Sequence, residues 1–560
     1  MSTSKPNTSV QPVIRCFPFG GVGEFGKNMM VYAVDDDAVV VDCGMGFPEP
    51  GQHGVDIVIP EVSALDDMGL KIHALLLTHG HEDHIGAVPF ILPKLGNIPV
   101  YGTQITLALV KSKLSERGYK GDLRLLDEHT PIKAGPFRVE GVPVTHSIMD
   151  AISVVIHTEY GAIIHTGDFK FDPSPIDGRV SGLERFSQLG DEGVLLVASD
   201  STNATRAGTG PSESSVSADL KKAVTECKGK VVVTTFASNI FRIQQIIEAG
   251  QAAGRKVALA GRSLDKNVSL TRDLKRLKIE PNVLVDIKQT QNIPSDKLLI
   301  IATGSQGEWR AALARIAQNK FTGLRLGEDD LVIFSSSNIP GNERVVAGLF
   351  NHIYRRGARI LHAGQAHLHV SGHAQQDELK TMLELTRPKY FYPVHGEYRN
   401  LIEHRQLGVA TGIAFENTVI AENGQSVVID EQGIAHGPKF HAGAVFVDGL
   451  HRDEVDDMVL RDRRILADDG MISVTVLISQ HEGSLLTVPE LTARGVLHES
   501  VSEEVLEDAA ADMHRYLNSL DQEMLADLDE TREEIRLWLR RWCKKRLGRR
   551  PMVLPVVIEL

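Results

Sequence analysis

Cysteine is scarce in this chain of 560 residues. Cys16, Cys43, Cys227 and Cys543 lie far apart and form no CxxC pair. That usage excludes a disulfide framework, and a reducing cytoplasm is the simplest setting. Long apolar runs are missing too. The opening MSTSKPNTSVQPVIRCF holds no uninterrupted stretch of signal-peptide length, and no later run is long enough to span a bilayer, so no membrane partner is expected. Internal repeats and long low-complexity tracts are absent, which removes solenoids and arrays. There is no basic excess either, since the formal net charge is −13. This does not exclude a nucleic-acid partner, because local patches decide binding and an acidic exterior can enclose a basic channel.

What is present is an ordinary globular balance, 42% hydrophobic and 24% charged, on a length that implies about three domains. From Val13 to about Ser201, short apolar runs end in Gly, Asp or His-rich turns and read as buried strands: Val39–Val41 before Asp42, Leu75–Leu77 before Thr78, Ile163–Ile164 before His165. Helical patterns follow at Ile85–Leu95 and Ile105–Arg117. Past Pro211 the texture changes. Helical stretches at Ser214–Glu226 and Ile240–Ala253 alternate with strand-like Val231–Val233, Val257–Leu259, Leu298–Ile301 and Leu331–Phe334. Two of these strands open into small polar loops, TGSQGE and SSSN. Alternation of this kind predicts a parallel α/β sheet with ligand-accessible loops at the strand ends. His- and Gly-rich turns then resume (HLHVSGHA, FYPVHGE), with β-like runs to about Val447. The first domain is therefore expected at 1–211, an inserted α/β domain at 212–362 and the completion of the first at 363–448. A charged linker at 449–464 leads to a C-terminal domain at 465–560, with a strand at Ile472–Ile478 and helix from Ser502 to Leu547.

The run His79-Gly80-His81-Glu82-Asp83-His84 carries the most chemistry. His79 and His81, two apart at the end of a strand, project to one face and can share an ion. Asp83 and His84 in the following turn can reach a second. Imidazole and carboxylate donors suit zinc or manganese, and no nearby cysteine offers a thiolate. Three further candidates occupy matching places: His146 after Val142–Val144, Asp168 in HTGD, and His395 in PVHGE. A carboxylate such as Asp168 can bridge two cations, whereas Asp42 is placed to hold a ligand histidine by a hydrogen bond. Each alone is as easily a structural residue; their joint occurrence at strand ends is the signal. The segment Gly21-Val22-Gly23-Glu24-Phe25-Gly26 satisfies GxGxxG, but the strand-like KNMMVY follows it where a dinucleotide site needs a helix. These glycines are expected to serve a hairpin turn.

Asp42, HGHEDH, His146 and Asp168 resemble the successive motifs of the metallo-β-lactamase superfamily. The inserted domain, Asp200 in SDSTN, His373 in HVSGHA and His395 in PVHGE resemble its β-CASP nuclease branch. GGVGEFGKNM, TTFASN, SSSNIPGNE, HLHVSGHA and PVHGEYRN, in that order, are similar to the ribonuclease J family over about residues 13–445, and more loosely beyond. The resemblance implies an α/β fold: a metallo-β-lactamase αββα sandwich interrupted by a β-CASP α/β domain, with a small α+β C-terminal domain. It implies that His79, His81 and His146 hold one divalent ion, that Asp83, His84 and His395 hold another, and that Asp168 bridges them. Zinc is the expected metal, with manganese or magnesium as alternatives.

It also implies that Asp83 aids deprotonation of water, that Asp200 belongs to the catalytic set, and that His373 stabilises phosphate and can act as a general acid. His369, Val370, Ser371, Gly372 and His373 would bind the substrate phosphate. Ser238 and Asn239, opening a helix, suit an anion or merely cap the helix. Phe47 can stack on a base or be an ordinary loop aromatic. The basic stretch Arg532–Arg550, with Leu537, Trp538 and Trp542 interleaved, can touch RNA or pack its Trp face on a core.

The function so implied is a cytoplasmic ribonuclease of this type, degrading and maturing single-stranded RNA 5′→3′ from monophosphorylated ends, with endonucleolytic action possible in the family. A homodimer or homotetramer, with partners in an RNA-degradation complex, is the expected assembly. The rivals are a β-CASP endonuclease on RNA or DNA, a small-molecule metallo-hydrolase, and a non-catalytic RNA-binding subunit. The inserted domain tells against the second, and the intact ligand set tells against the third.

Overall fold

The computed structural model describes residues 14–49, 51–96, 98–337, 341–448, 453–479 and 484–560. Residues 338–340 of the SSSNIPGNE motif and 449–452 of the expected linker fall outside them. The chain divides into two compact units, one of residues 1–46 and 59–444, the other of 47–58 and 445–560.

In the first unit two sheets face each other. The eight-stranded sheet runs in the order Gly433–Lys439, Gln425–Asp430, Ile14–Gly20, Met29–Val34, Asp37–Val41, Lys71–Leu76, Val100–Gly102, Leu123–Leu125. The six-stranded one runs Tyr390–Val394, Val194–Asp200, Gly161–His165, Ile152–Thr158, Phe137–Pro143, Ile132–Ala134. Alternate residues of both, among them Tyr32, Val39, Val41, Leu76, Val154, Ile156, Ile163 and Leu196, form one buried core between the sheets. The opposite face of the second sheet, through Val155, Ile164 and Val197, buries Phe186, Leu189, Leu379 and Leu383 from the helices Leu183–Glu192 and Gln376–Thr386. The central strands Ile152–Thr158, Gly161–His165 and Val194–Asp200 are thus apolar on both faces, as a strand between a sheet and a helical layer must be.

Between these parts the chain builds a third sheet, entirely parallel, in the order Leu284–Val285, Lys256–Ala260, Leu298–Ala302, Val231–Thr234, Leu331–Phe334, Arg359–His362. Val231 and Val233 meet Ile243, Ile246 and Ile247 of the helix Ile240–Ala252 on one face, while Val232 meets Leu313, Ile316 and Leu349 on the other. Carboxyl ends of these strands carry the polar loops read from the sequence.

The second unit has its own core. Met471–Ile478 pairs antiparallel with Glu490–Arg494 and parallel with Met552–Glu559, and helices Glu499–Leu517 and Leu528–Leu547 cover one face through Met513, Leu517, Ile535 and Leu539. Trp538 and Trp542 pack against that core, and Trp542 Nε1 donates to Asp512 Oδ2 at 2.8 Å. The tryptophans of the basic helix therefore face inward. Among the described residues no helix is long and apolar enough to cross a membrane.

Several expected elements differ in extent. Ile85–Leu95 contains only the single turns Glu82–Ile85 and Val88–Ile91. The helix expected over Ser502–Leu547 is interrupted near Asp521. Tyr398–Ala410, expected among β-like runs, is a helix, and the strand Met552–Glu559 was not expected at all.

Candidate metal centre

Loops at the ends of four strands converge on one point. Past Lys71–Leu76, His79 is fully buried and His81 precedes the turn Glu82–Ile85, which carries Asp83 and His84. His146 follows Phe137–Pro143, Asp168 follows Gly161–His165, and His395 follows Tyr390–Val394. Gly167 has φ +57°, and a Cβ there would lie 2.8 Å from Thr78 Cβ. Only glycine lets the Asp168 loop close over the histidine loop.

Of three overlapping groups of ligand-type atoms among the described residues, the third being Asp168, Asp200, His373 and His395, two hold the expected ligand residues. His81 Nδ1 lies 3.1 Å from both His79 Nε2 and His146 Nε2, and each of the latter is 3.6 Å from Asp168 Oδ2. In the other set, Asp168 Oδ1 lies 3.2 Å from His84 Nε2 and 3.4 Å from His395 Nε2, with Asp83 Oδ2 at 3.6 and 3.5 Å from the same nitrogens. The two oxygens of Asp168 thus divide between the sets, and each set lies within 4.8 Å across. Nitrogens about 2.0–2.1 Å from a tetrahedral ion stand about 3.3 Å apart, so these separations fit a cation at each position. Two buried atoms of the second set, Asp168 Oδ1 and His395 Nε2, have no hydrogen-bond partner. Buried polar atoms seldom go unpaired, and a divalent cation would satisfy both.

The electrostatics of the first set suit ligation. Burial holds His79 and His146 well below the ordinary imidazole value and His81 at about 4, so all three are neutral, as ligands must be. Burial also opposes charge on His84 and His395, but Asp168 beside both outweighs it and raises them.

A surrounding layer fixes the ligands. Asp42, buried, accepts from Thr78 N and Thr78 Oγ1 at 2.8 Å each and from His84 Nδ1 at 2.7 Å. Asp200 Oδ2 takes His373 Nδ1 at 2.8 Å, and its Oδ1 lies 3.2 Å from His395 Nδ1 and 2.7 Å from Thr202 Oγ1. Thr202 Oγ1 is also 2.8 Å from His395 Nδ1. His146 Nδ1 donates to the Gly372 carbonyl at 2.7 Å, and Asn28 Nδ2 lies 3.1 Å from His84 Nε2. Burial disfavours charge on His373, yet Asp200 and then Asp168 outweigh it and raise its pKa. Its Nε2 stands 3.9 Å from Asp168 Oδ2.

Of the residues expected from sequence, Asp42, His79, His81, Asp83, His84, His146, Asp168, Asp200, His373 and His395 meet in this cluster. The loop His369–His373 lies against it: Asn203 Nδ2 donates to Ser371 Oγ at 2.9 Å and to the His373 carbonyl at 3.0 Å, while Val370 is buried. Asn239 is 3% exposed, and its side chain accepts from Arg242 N at 2.9 Å. It caps the helix Ile240–Ala252, and beside it Ser238 is half-buried. Phe47 is 69% exposed and belongs to the second unit. The GxGxxG segment joins the antiparallel strands Ile14–Gly20 and Met29–Val34, and the Gly21 carbonyl accepts from His395 N at 2.9 Å. Thr78, Thr202, Asn203 and Asn28 were missed, because one polar residue in a loop leaves no pattern.

Four family models match consecutive stretches of the chain. They are the metallo-beta-lactamase superfamily over residues 22–223, the ribonuclease J beta-CASP domain over 228–353, a Zn-dependent metallo-hydrolase RNA specificity domain over 362–421, and the ribonuclease J C-terminal domain over 458–560. A relative named ribonuclease J from Thermus thermophilus is 40% identical over 557 residues, covering 98% of this chain and 96% of the relative. Another of that name, from Mycolicibacterium smegmatis, is 38% identical over 547 residues, covering 98% and 97%. A solved structure of a protein of unknown function from Enterococcus faecalis V583 aligns with a TM-score of 0.52 at 16% identity, over 74% of this chain and 100% of that one. That likeness concerns the fold alone.

Proposed function

The chain belongs to the ribonuclease J family and is a metal-dependent ribonuclease, and from that premise we propose that it degrades single-stranded RNA 5′→3′ from monophosphorylated ends. In this reading His79, His81 and His146 hold one ion, Asp83, His84 and His395 hold the other, and Asp168 bridges them. The observation that carries it is the division of Asp168's two oxygens between the two histidine sets. Zinc is the metal favoured by the three-imidazole set, with manganese or magnesium as alternatives. When bound, such ions acidify water and offset charge on a phosphodiester.

The chain's own groups do the rest. Asp83, held beside His84 and His395, is placed to accept a proton from the attacking water. Asp200 fixes the Nδ1 proton of His373 and leaves its Nε2 facing the site, where it stabilises a phosphate oxygen or returns a proton to the leaving group. The Ser371 hydroxyl and the backbone of His369–His373 receive the terminal phosphate. Ser238 and Phe47 remain substrate-contact candidates, while Asn239's acceptor is already engaged in its cap.

We also keep the domain limits 1–211, 212–362, 363–448, 449–464 and 465–560; the parallel sheet of residues 231–362 supports the second. Four free, buried cysteines support a cytoplasmic setting. A homodimer or homotetramer, open to RNA-degradation partners, is supported by the exposed row Leu554, Val556 and Ile558 on the edge strand Met552–Glu559.

The test uses RNAs of one sequence carrying 5′-monophosphate, 5′-triphosphate or 5′-hydroxyl ends. Preferential mononucleotide release from the monophosphate form is expected; internal cuts indifferent to the 5′ group would replace this reading with an endonuclease. His81→Ala should abolish turnover, and surviving turnover would refute the two-ion assignment.

A further inference from the structure

Arg242 is fully buried, on the first turn of the helix Ile240–Ala252. A buried guanidinium is tolerated only when it is paired, and here Nη2, which makes no hydrogen bond, stands 2.9 Å from Glu213 Oε1. Its Nε donates to Glu213 Oε1 at 2.9 Å and to Gln245 Oε1 at 3.1 Å. Its Nη1 donates to Ser335 Oγ at 2.7 Å, the Ser335 carbonyl at 3.2 Å and the Leu368 carbonyl at 2.6 Å. Ser335 Oγ, at the carboxyl end of Leu331–Phe334, donates to the same Leu368 carbonyl at 2.7 Å.

Leu368 immediately precedes the loop His369–His373. The far end of that loop is tied to the metal side of the molecule: His146 Nδ1 donates to the Gly372 carbonyl, and Ala374 N to the Phe169 carbonyl at 2.6 Å. Its near end is tied to the inserted sheet by Arg242 and Ser335. Glu213 is itself anchored beside the site, since its N–H donates to Asp172 Oδ2 at 2.8 Å. The guanidinium therefore joins three parts: the Glu213 turn, the end of an inserted strand, and the start of the loop.

We propose that Arg242, with Ser335, is the positioning residue of the His369–His373 loop, setting its register so that it selects an RNA end carrying a 5′-phosphate. This deepens the reading above and rests on it, because that reading assigns the terminal phosphate to the loop. Arginine is suited to the task, since its rigid fork reaches the Glu213 carboxylate and the Leu368 carbonyl at once, which a lysine ammonium does not.

A purely structural Arg242 would lower stability and slow all substrates alike; a positioning role changes discrimination. The measurement is kcat and KM of the full chain on one RNA sequence with 5′-monophosphate or 5′-hydroxyl ends. Ser335→Ala keeps the ion pair and removes one donor from Leu368. The double variant Arg242→Met/Glu213→Gln removes the fork without leaving a buried charge unpaired. Both should raise KM for the monophosphate RNA by about tenfold, the worth of one strong hydrogen bond, with KM for the hydroxyl RNA unchanged. Ser335→Thr should restore the wild-type values. Ser371→Ala serves as the direct control. Wild-type discrimination in the folded Ser335→Ala protein, alongside its loss in Ser371→Ala, would overturn the positioning role alone. Discrimination retained in Ser371→Ala as well would remove the phosphate assignment first, and this proposal with it.

Discussion

Asp42 takes three hydrogen bonds and belongs to neither of the two ligand sets, which makes it informative about how the centre is built. It has φ +62°, an uncommon conformation for a residue with a side chain, and its N–H is held by the Leu76 carbonyl at 2.9 Å. Its carboxylate locks Thr78 and accepts the Nδ1 proton of His84, so that Nε2 of that ring, within reach of Asn28 Nδ2 at 3.1 Å, is the nitrogen left with a lone pair for an ion. A histidine whose far nitrogen is fixed in this way loses tautomeric and rotational freedom before metal arrives. Asp42→Asn keeps the size and removes the charge. We expect divalent-metal affinity to fall roughly 10–100-fold, read as metal content after dialysis against graded chelator, with thermal stability in excess metal little changed. Unchanged metal retention would show that Asp42 serves the backbone turn only.

At the scale of elements, strands were the legible part, and the reason is visible in them. Val39–Val41, Leu75–Leu76 and Val231–Val233 are buried on both faces, so they appear as unbroken apolar runs. Ligands sit where such runs stop, which is why His79, His146, Asp168 and His395 stood out together though none did alone. Elements that hide polar groups were not legible. The helix Tyr398–Ala410 buries Asn400, His404 and Gly408 beside Leu401, so its inward face has no apolar period. Met552–Glu559 contains Pro555, which argues against a strand except at an edge, and this strand is an edge. The helix over Ile85–Leu95 is broken at Gly86 and Pro89. Nor did any pattern announce how the helix Leu183–Glu192 is pinned. Arg185 Nη2 donates to Glu140 Oε1 at 2.8 Å, and His157 Nε2 reaches the same oxygen at 2.8 Å. Burial pushes the Glu140 carboxyl up, but these two bonds outweigh it and bring it down to about 2. A folded-state pKa below the unfolded one stabilises above the ordinary glutamate value and is lost as pH falls towards 2. Glu140→Gln should therefore cost about 1–2 kcal/mol at pH 7, after discounting for the partly exposed arginine. The gap between the thermal midpoints of variant and wild type should shrink steadily as pH falls from 4.5 towards 2; a constant gap would assign the loss to packing.

For the whole molecule, the two units carry separate cores, and the ligand cluster belongs wholly to the first. The cluster ties segments far apart in sequence: His146 bonds Gly372, and Asp168 faces His395. An ion that binds this folded arrangement and not the open chain stabilises the first unit by mass action, by about 4 kcal/mol when free metal is a thousandfold above its dissociation constant. Tryptophan placement allows the units to be followed separately. Trp538 and Trp542 sit against the second core, and the third, Trp309, is 71% exposed in the first unit. In a Trp309→Phe protein, emission reports the second unit alone while far-ultraviolet dichroism reports both. Exhaustive chelation should then lower the dichroism transition by roughly 5–10 °C, leave the emission transition in place, and be reversed by adding back zinc or manganese. An emission transition that shifted equally would mean that the units unfold as one body. A dichroism transition that did not move would mean that the histidine and aspartate cluster holds its shape without a cation, against the unpaired state of Asp168 Oδ1 and His395 Nε2.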